Sequence, residues 1–335
     1  MNNLNFNKLN KTFIVAEIGV NHEGDVNCAK RMIDLAAKSG VDAVKFQTFT
    51  AENYVSRKHD ERFKRVKKFE LNYDDFSLIQ RYAKKKNIIF FSTPLHPKDI
   101  NTLKKISPII KISSGDLTYL DLIKNAALTN KPLILSTGLG DKKDIKNAVS
   151  VIEQNRPNIK KKGELLIMHC VAAYPTPENE VNLKNIEWLK QNFNYPVGYS
   201  DHTLGIKACE LAVAYGAVVI EKHFTYRKEN QVFHDHKISA DKKDMTELVN
   251  NIRNVEKFSG SYERKIGKSE KKMFSHLRRS VYARRNIPEG KIIEYEDIIL
   301  LRPAKGYGPE NLKTIIGKKA KKFIKIDSLI KKIHL

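Results

Sequence analysis

Cysteine is scarce. The three in 335 residues, Cys28, Cys170 and Cys209, are too few and too scattered for a disulfide framework or a cysteine-based zinc site, and read as reduced core residues. Long apolar runs are missing too. No stretch approaches a membrane span, and Met1 to Lys11 is polar and Asn-rich, unlike a secretory signal, so the expected address is the cytoplasm and no membrane partner is expected. The Gly-rich phosphate turn that a doubly wound sheet carries after its first strand is also absent, because Gly19-Val20-Asn21-His22-Glu23-Gly24 lacks that spacing. Acidic residues are outnumbered, 38 Asp and Glu against 61 Lys and Arg, for a formal charge of +23. Such an excess admits nucleic acid, an anionic membrane or an anionic small substrate. The basic residues occur in every segment, with no single stripe interleaved with aromatics, so they read as solvated faces and nucleic acid is not expected as a partner.

The hydrophobic content, 41%, is enough for a real core. Short apolar runs alternate with amphipathic helical patterns from Phe13 to about Val255. The expected strands are Phe13–Ile18, Ala43–Thr48, Ile88–Ser92, Ile109–Ile112, Leu133–Ser136, Leu165–His169, Val197–Ser200 and Ala217–His223. Eight strands, each followed by a helical pattern, give the count of a (β/α)8 TIM barrel, here over residues 1–258. Residues 259–278 are polar with little periodicity and read as a linker. From 279 to 335 the chain turns to short β-like runs such as Ser280–Ala283 and Ile298–Leu301, separated by Pro and Gly turns: a small β-rich domain that gains by docking onto another surface.

Polar residues gather where the barrel strands end, the place where such barrels keep their chemistry. His202 and His223 close the seventh and eighth runs, either side of a helical segment, Ile206 to Tyr215. A lone histidine is more often structural than a ligand; two at matching ends of neighbouring strands, beside Ser200, Asp201, Glu221 and Lys222, favour a site. Strand one ends in Glu17, followed by Asn21, His22 and Glu23, and strand two carries Lys45 and Gln47 on one face. Lys45 and Lys111 supply positive charge and Thr93, Ser114, Ser136 and Ser200 supply hydroxyls, a set suited to a small phosphate and carboxylate. The imidazole pair suits a divalent cation with open positions for water and a substrate oxygen, Mn2+ before a closed structural zinc, with Mg2+ and Co2+ as alternatives. The charged segment Ala51 to Asp75 is placed to act as a lid.

Ala16-Glu17-Ile18-Gly19-Val20-Asn21-His22-Glu23-Gly24, Lys45-Phe46-Gln47, Ser92-Thr93-Pro94, Lys111-Ile112-Ser113-Ser114-Gly115-Asp116, Leu135-Ser136-Thr137-Gly138, His169-Cys170 with Tyr174-Pro175-Thr176-Pro177, and both histidine segments together resemble the sialic acid (nonulosonic acid) synthase family. Arg279-Ser280, Ile287-Pro288-Glu289-Gly290 and Leu301-Arg302-Pro303 resemble the antifreeze-like SAF domain that ends these enzymes. The resemblance implies condensation of phosphoenolpyruvate with N-acetylmannosamine or a 2,4-diacetamido-6-deoxy sugar, giving an N-acetylneuraminate-, legionaminate- or pseudaminate-type acid and phosphate. It also implies a domain-swapped homodimer. By the same resemblance, His202 and His223 bind the metal, and Lys45, Lys111, Thr93, Ser114, Ser136 and Ser200 surround phosphoenolpyruvate. Gln47, Tyr174 and Asp235 lie near the sugar, Arg302 reaches it from the other subunit, and Glu17 positions or deprotonates the attacking water. Asp116, counted with Glu17, Lys45 and Lys111 as catalytic, stands where these synthases often have Glu, and Ala172 where some have Asn; both bear on sugar choice and affinity more than on reaction type. Two other readings compete. A metal-dependent aldolase would not need the two lysines and four hydroxyls, and a polyanion-binding protein would leave the strand-end chemistry without purpose.

Overall fold

Val, Ile, Leu and Phe crowd eight short runs, and each run is buried along nearly its whole length, as parallel strands covered on both faces must be. The strands are β1 (Phe13–Gly19), β2 (Ala43–Thr48), β3 (Ile89–Pro94), β4 (Ile110–Ile112), β5 (Leu133–Ser136), β6 (Leu165–Cys170), β7 (Val197–Asp201) and β8 (Val219–His223). All neighbours are parallel, and β1 pairs with β8 to close an eight-stranded TIM barrel. The computed structural model describes residues 4–231, 233–261 and 263–335; parts of the expected barrel and linker spans, at 1–3, 232 and 262, lie outside the described residues.

The side-chain period of two sorts each strand into an outward and an inward set. Outward residues, among them Ile14, Ala16, Val44, Phe46, Ile167 and Ile220, join the apolar stripes of the surrounding helices in one large core. In the helix Lys242–Ser259 that stripe is Met245, Leu248, Val249 and Ile252, at the spacing that keeps one face inward. Its start is fixed by Asp241 and Asp244 in a reciprocal capping box, as Asp141 and Asp144 fix the helix Lys142–Asn155. Inward residues at the lower end form a separate cluster of Phe13, Val15, Ala43, Phe91, Ile134, Leu166, Met168 and Val219, which Phe6 joins from the N-terminal turn. Gly198 belongs to this layer by exclusion: a Cβ there would lie 2.9 Å from the Val219 carbonyl oxygen and 3.0 Å from Leu166.

The expected strand bounds hold to within two residues. β3 runs on to Pro94, β8 begins at Val219 where Ala217 was expected, and the helix between β7 and β8 is Lys207–Ala214. These margins follow ladder hydrogen bonds, which a pattern of residue types registers only indirectly.

The chain divides into compact units at 1–260 and 261–335. Within the segment read as an aperiodic linker, Lys268–Leu277 is a helix; no residue of it is buried, so burial has imposed no apolar period on its sequence. The second unit is built on an antiparallel pair, β9 (Ser280–Ala283) and β10 (Ile298–Leu301), with Ile298 opposite Ala283 and Leu301 opposite Ser280. Val281, Ala283, Ile287, Ile293, Ile298, Ile315, Ala320, Ile324 and Ile330 form its core. The Ser280 hydroxyl accepts the backbone N–H groups of Lys305 and Gly306, tying the strand to the Gly-rich turn. No helix among the described residues is long and apolar enough to cross a membrane.

Candidate active site

Moving up each strand by two residues from the apolar layer turns the barrel interior polar. Val15 gives way to Glu17, Ala43 to Lys45 and then Gln47, Ile134 to Ser136, Met168 to Cys170, and Val219 to Glu221 and then His223. These residues, with Lys111, Ser114, Ser200, His202 and Tyr174, line a cavity of about 290 Å3 at the carboxyl ends of the strands.

Register explains the first contacts. Glu17 is opposite Lys45 on one side and His223 on the other, and Ser200 is opposite Glu221. Lys45 Nζ lies 3.0 Å from Glu17 Oε1 and 3.5 Å from Glu221 Oε1, and donates to Thr93 Oγ1 at 3.2 Å. Lys111 Nζ donates to Glu221 Oε2 at 2.9 Å and lies 3.1 Å from Met168 Sδ. Ser200 Oγ donates to Glu221 Oε1 at 2.9 Å. All four charges are buried, and their protonation follows from how well each is paired. Burial raises the Glu17 carboxyl more than Lys45 lowers it, leaving it at about 7. Burial acts the same way on Glu221, but Lys111 and Lys45 overcome it and hold that carboxyl at about 2. Burial lowers Lys111, whereas Glu17 and Glu221 more than offset burial at Lys45 and raise it. Glu17 Oε2 is buried without a hydrogen-bond partner, so this carboxyl keeps one free acceptor beside the cavity.

The histidine rings are 5.4 Å apart by centroids, with Tyr174 4.0 Å from His202 and 6.0 Å from His223. His202 Nδ1 bonds the Val171 carbonyl at 2.7 Å, which leaves Nε2 as its free nitrogen. His223 Nδ1 is buried without a partner, 3.9 Å from Asp235 Oδ2. Burial lowers the pKa of both rings and so favours the neutral form, the form that ligates metals. A free nitrogen on each of two neutral imidazoles fits a divalent cation. Among the described residues no third His, Cys, Asp or Glu converges to complete an all-protein cage.

A second cavity, also of about 290 Å3, shares Gln47, Tyr54, Tyr174 and His223 with the first, so the two adjoin. Its far walls are Asp235, His234 and Phe233 after β8, and Arg62, Arg65, Val66 and Phe69 from the segment after β2. That segment is helical, Ala51–Tyr54 and Asp60–Phe69, and is anchored by Phe69 packed edge-on against Phe233 at 5.2 Å.

Of the residues singled out from sequence, Glu17, Lys45, Gln47, Lys111, Ser114, Ser136, Tyr174, Ser200, His202 and His223 line the first cavity, and Asp235 the second. Thr93 stands behind Lys45 as its hydrogen-bond partner. Asp116 is not brought to either cavity: it accepts from Ser113 in the turn after β4. Arg302 is exposed on the second unit. Sequence reasoning named Glu221 only as a neighbour that helps mark the histidine pair as a site and gave it no role of its own, although its spacing of two from His223 puts both on one face. Tyr54, Arg62 and Arg65 carried no sequence signal, because they reach the cavity through the fold of a charged, aperiodic segment.

A profile described as the NeuB family matches residues 32–264, and one described as the SAF domain matches 278–335. An uncharacterised protein of Methanocaldococcus jannaschii is 44% identical over 95% of this chain and 93% of its own length. The N,N'-diacetyllegionaminic acid synthase of Campylobacter jejuni is 40% identical over 96% of this chain and 100% of its own. The crystal structure of N-acetylneuraminic acid (sialic acid) synthetase from Leptospira borgpetersenii, in complex with citrate, is 38% identical with a TM-score of 0.73, over 78% of this chain and 90% of that one. With a profile covering most of the barrel and relatives aligned almost end to end, the chain belongs to the NeuB family.

Proposed function

We propose that this protein is a nonulosonic acid synthase, an enzyme that joins phosphoenolpyruvate to an N-acetylated amino sugar and releases phosphate. The observation that carries the reading is the pair of adjoining cavities: one lined by two lysines, a set of hydroxyls and His202, the other walled by Arg65 and Asp235, with Gln47, His223 and Tyr174 shared between them. The first suits a small anion that bears carboxylate and phosphate, and the second a polar sugar.

In this mechanism Lys45, Lys111, Ser114, Ser136 and Ser200 bind and orient phosphoenolpyruvate, and Gln47, Tyr174 and Asp235 hold the open-chain sugar. His202 and His223 would hold a divalent cation, Mn2+ first among the candidates, which supplies Lewis acidity toward a carbonyl oxygen. A bond forms between the methylene carbon of phosphoenolpyruvate and the aldehyde carbon, whose oxygen takes up a proton from solvent to become a hydroxyl. Water adds at the neighbouring carbon of the enol phosphate, and the C–O bond to phosphate then breaks as the added hydroxyl loses its proton and becomes the keto group, expelling phosphate. Glu17 takes the proton of that water: its Oε2 is free, and a carboxyl at about 7 is matched to neutral solution. The enzyme works in the cytoplasm as a homodimer in which Arg302 of one subunit reaches the sugar held by the other.

The test is phosphate release from phosphoenolpyruvate with Mn2+ and, in turn, N-acetylmannosamine, its 6-phosphate, and 2,4-diacetamido-2,4,6-trideoxymannose. Release with one sugar, abolished by a chelator and by His223→Ala, is the expected result and identifies the acceptor. No release with any of them overturns the reading.

A further inference from the structure

A carboxylate at the floor of a cavity built for an anion is out of place, and Glu221 is such a group. It touches Lys111 at 2.9 Å, Ser200 at 2.9 Å and Lys45 at 3.5 Å. These are three of the donors that the synthase reading gives to phosphoenolpyruvate. Lys45 has a second carboxylate, Glu17, at 3.0 Å; among the described residues the other side chain within hydrogen-bond distance of Lys111 is the uncharged thioether of Met168. Lys111 is 1% exposed, and a lone ammonium ion at that depth is strongly disfavoured.

We propose that Glu221 is a positioning residue that stands in for the substrate's anionic groups in the free protein, holding Lys45, Lys111 and Ser200 in their binding geometry and competing for them with phosphoenolpyruvate and with the departing phosphate. The proposal rests on the synthase reading for the identity of the anion. Its physical content is a trade. With Glu221 present, the free site is electrically balanced, so the lysines keep their places without collapsing onto other acceptors. When an anion enters, it meets a fixed negative charge inside a small, poorly solvated cavity, where repulsion is weakly screened. Part of the attraction of the two ammonium groups is thereby cancelled. The anion binds less tightly than the donors alone would allow, and phosphate is correspondingly free to leave.

The experiment is a calorimetric titration of inorganic phosphate into the wild-type protein and Glu221→Gln, followed by steady-state kinetics. Gln keeps the shape and one acceptor while removing the charge. The expected result is phosphate affinity higher by about tenfold or more in the variant, the scale of one charged hydrogen bond. The KM for phosphoenolpyruvate should fall and kcat fall with it, because phosphate is retained. Unchanged or weaker phosphate binding overturns the proposal, since a purely structural role would loosen the site. If Glu221→Gln does not fold in phosphate-free buffer, phosphate added before refolding should restore it by replacing the missing negative charge; failure to restore also overturns the proposal. The two readings fail separately. A wild-type protein that releases phosphate with none of the sugars refutes the synthase, whereas one that condenses normally while the variant binds phosphate no tighter refutes only the role of Glu221.

Discussion

Leu166 and Met168 face the barrel axis from below, and Glu17, Lys45, Lys111 and Glu221 face it from above; along a strand, one step of two residues separates the layers. The lower layer is apolar and closely packed, and each side chain there stabilises the fold by about 1.5–3 kcal/mol through removal from water. The upper layer holds four buried charges whose desolvation costs about as much as their pairing returns. One oxygen of Glu17 and one nitrogen of His223 are left with no partner at all. A barrel selected for stability alone would continue the lower pattern upward. The upper layer keeps groups that the fold does not need, which is how a site for chemistry differs from a core.

The sharpest way to test that contrast is Glu17→Gln. It should lower kcat by about 10² to 10⁴, the usual worth of a general base, with a smaller change in KM for phosphoenolpyruvate. The wild-type rate should rise with pH through an inflection near about 7, as Glu17 loses its proton, and the variant should lack that inflection. The sign for stability is opposite to that of a paired carboxylate. Because the folded value is raised from 4.5 to about 7, the folded state holds a proton that the unfolded chain gives up, and stability falls as pH rises across that window. The variant should therefore be at least as stable as the wild type at pH 8, as judged from urea midpoints.

Below the site, Leu166→Ala should do the reverse. It leaves a cavity in a layer that cannot collapse, costs about 2–5 kcal/mol in urea unfolding, and leaves the KM for phosphoenolpyruvate unchanged. A large kinetic effect without loss of stability would break the comparison.

Asp297, in the second unit, is a buried acid whose partners are all present. Burial raises its pKa, but hydrogen bonds from Lys291, the Glu294 N–H and Arg285 outweigh that and hold it at about 2. It contributes stability above its ordinary 3.8, lost as pH falls through about 2. Asp297→Asn should lower the melting temperature at neutral pH, and the deficit should shrink below pH 4. An unchanged deficit at acid pH would mean the contact is not electrostatic. The smallest effect is expected from Arg302→Ala, which should raise the KM for the sugar more than that for phosphoenolpyruvate; equal loss for both would sink its role in the partner's site.

Much of this could be read before any fold was known, for reasons visible in particular residues. The strands announced themselves because Val, Ile, Leu and Phe runs of the right length are rare outside sheets, and the paired histidines because they end two such runs. Glu221 was read only as a companion of the histidines, with no contact of its own, because its partner Lys111 is 110 residues away. Asp116 was read as catalytic from its place in a motif, yet it turns back to Ser113, since a short side chain in a tight turn finds its nearest hydroxyl first. The helix Lys268–Leu277 was invisible because nothing buries it.

What the order of residues decides alone is local: which runs are strands, which faces are apolar, where helices start, and which residue types stand at strand ends. Each is a matter of neighbours two to four positions apart, where period and capping act. Which charges meet was decided only by closure of the barrel. Lys111 and Glu221 are 110 residues apart in the chain, on strands four places apart around the ring, and they touch because the barrel brings all eight strands to one axis. The second cavity has the same origin. Arg62 and Asp235 line one space because helices after β2 and β8 fold over the same mouth, and no local pattern encodes that meeting.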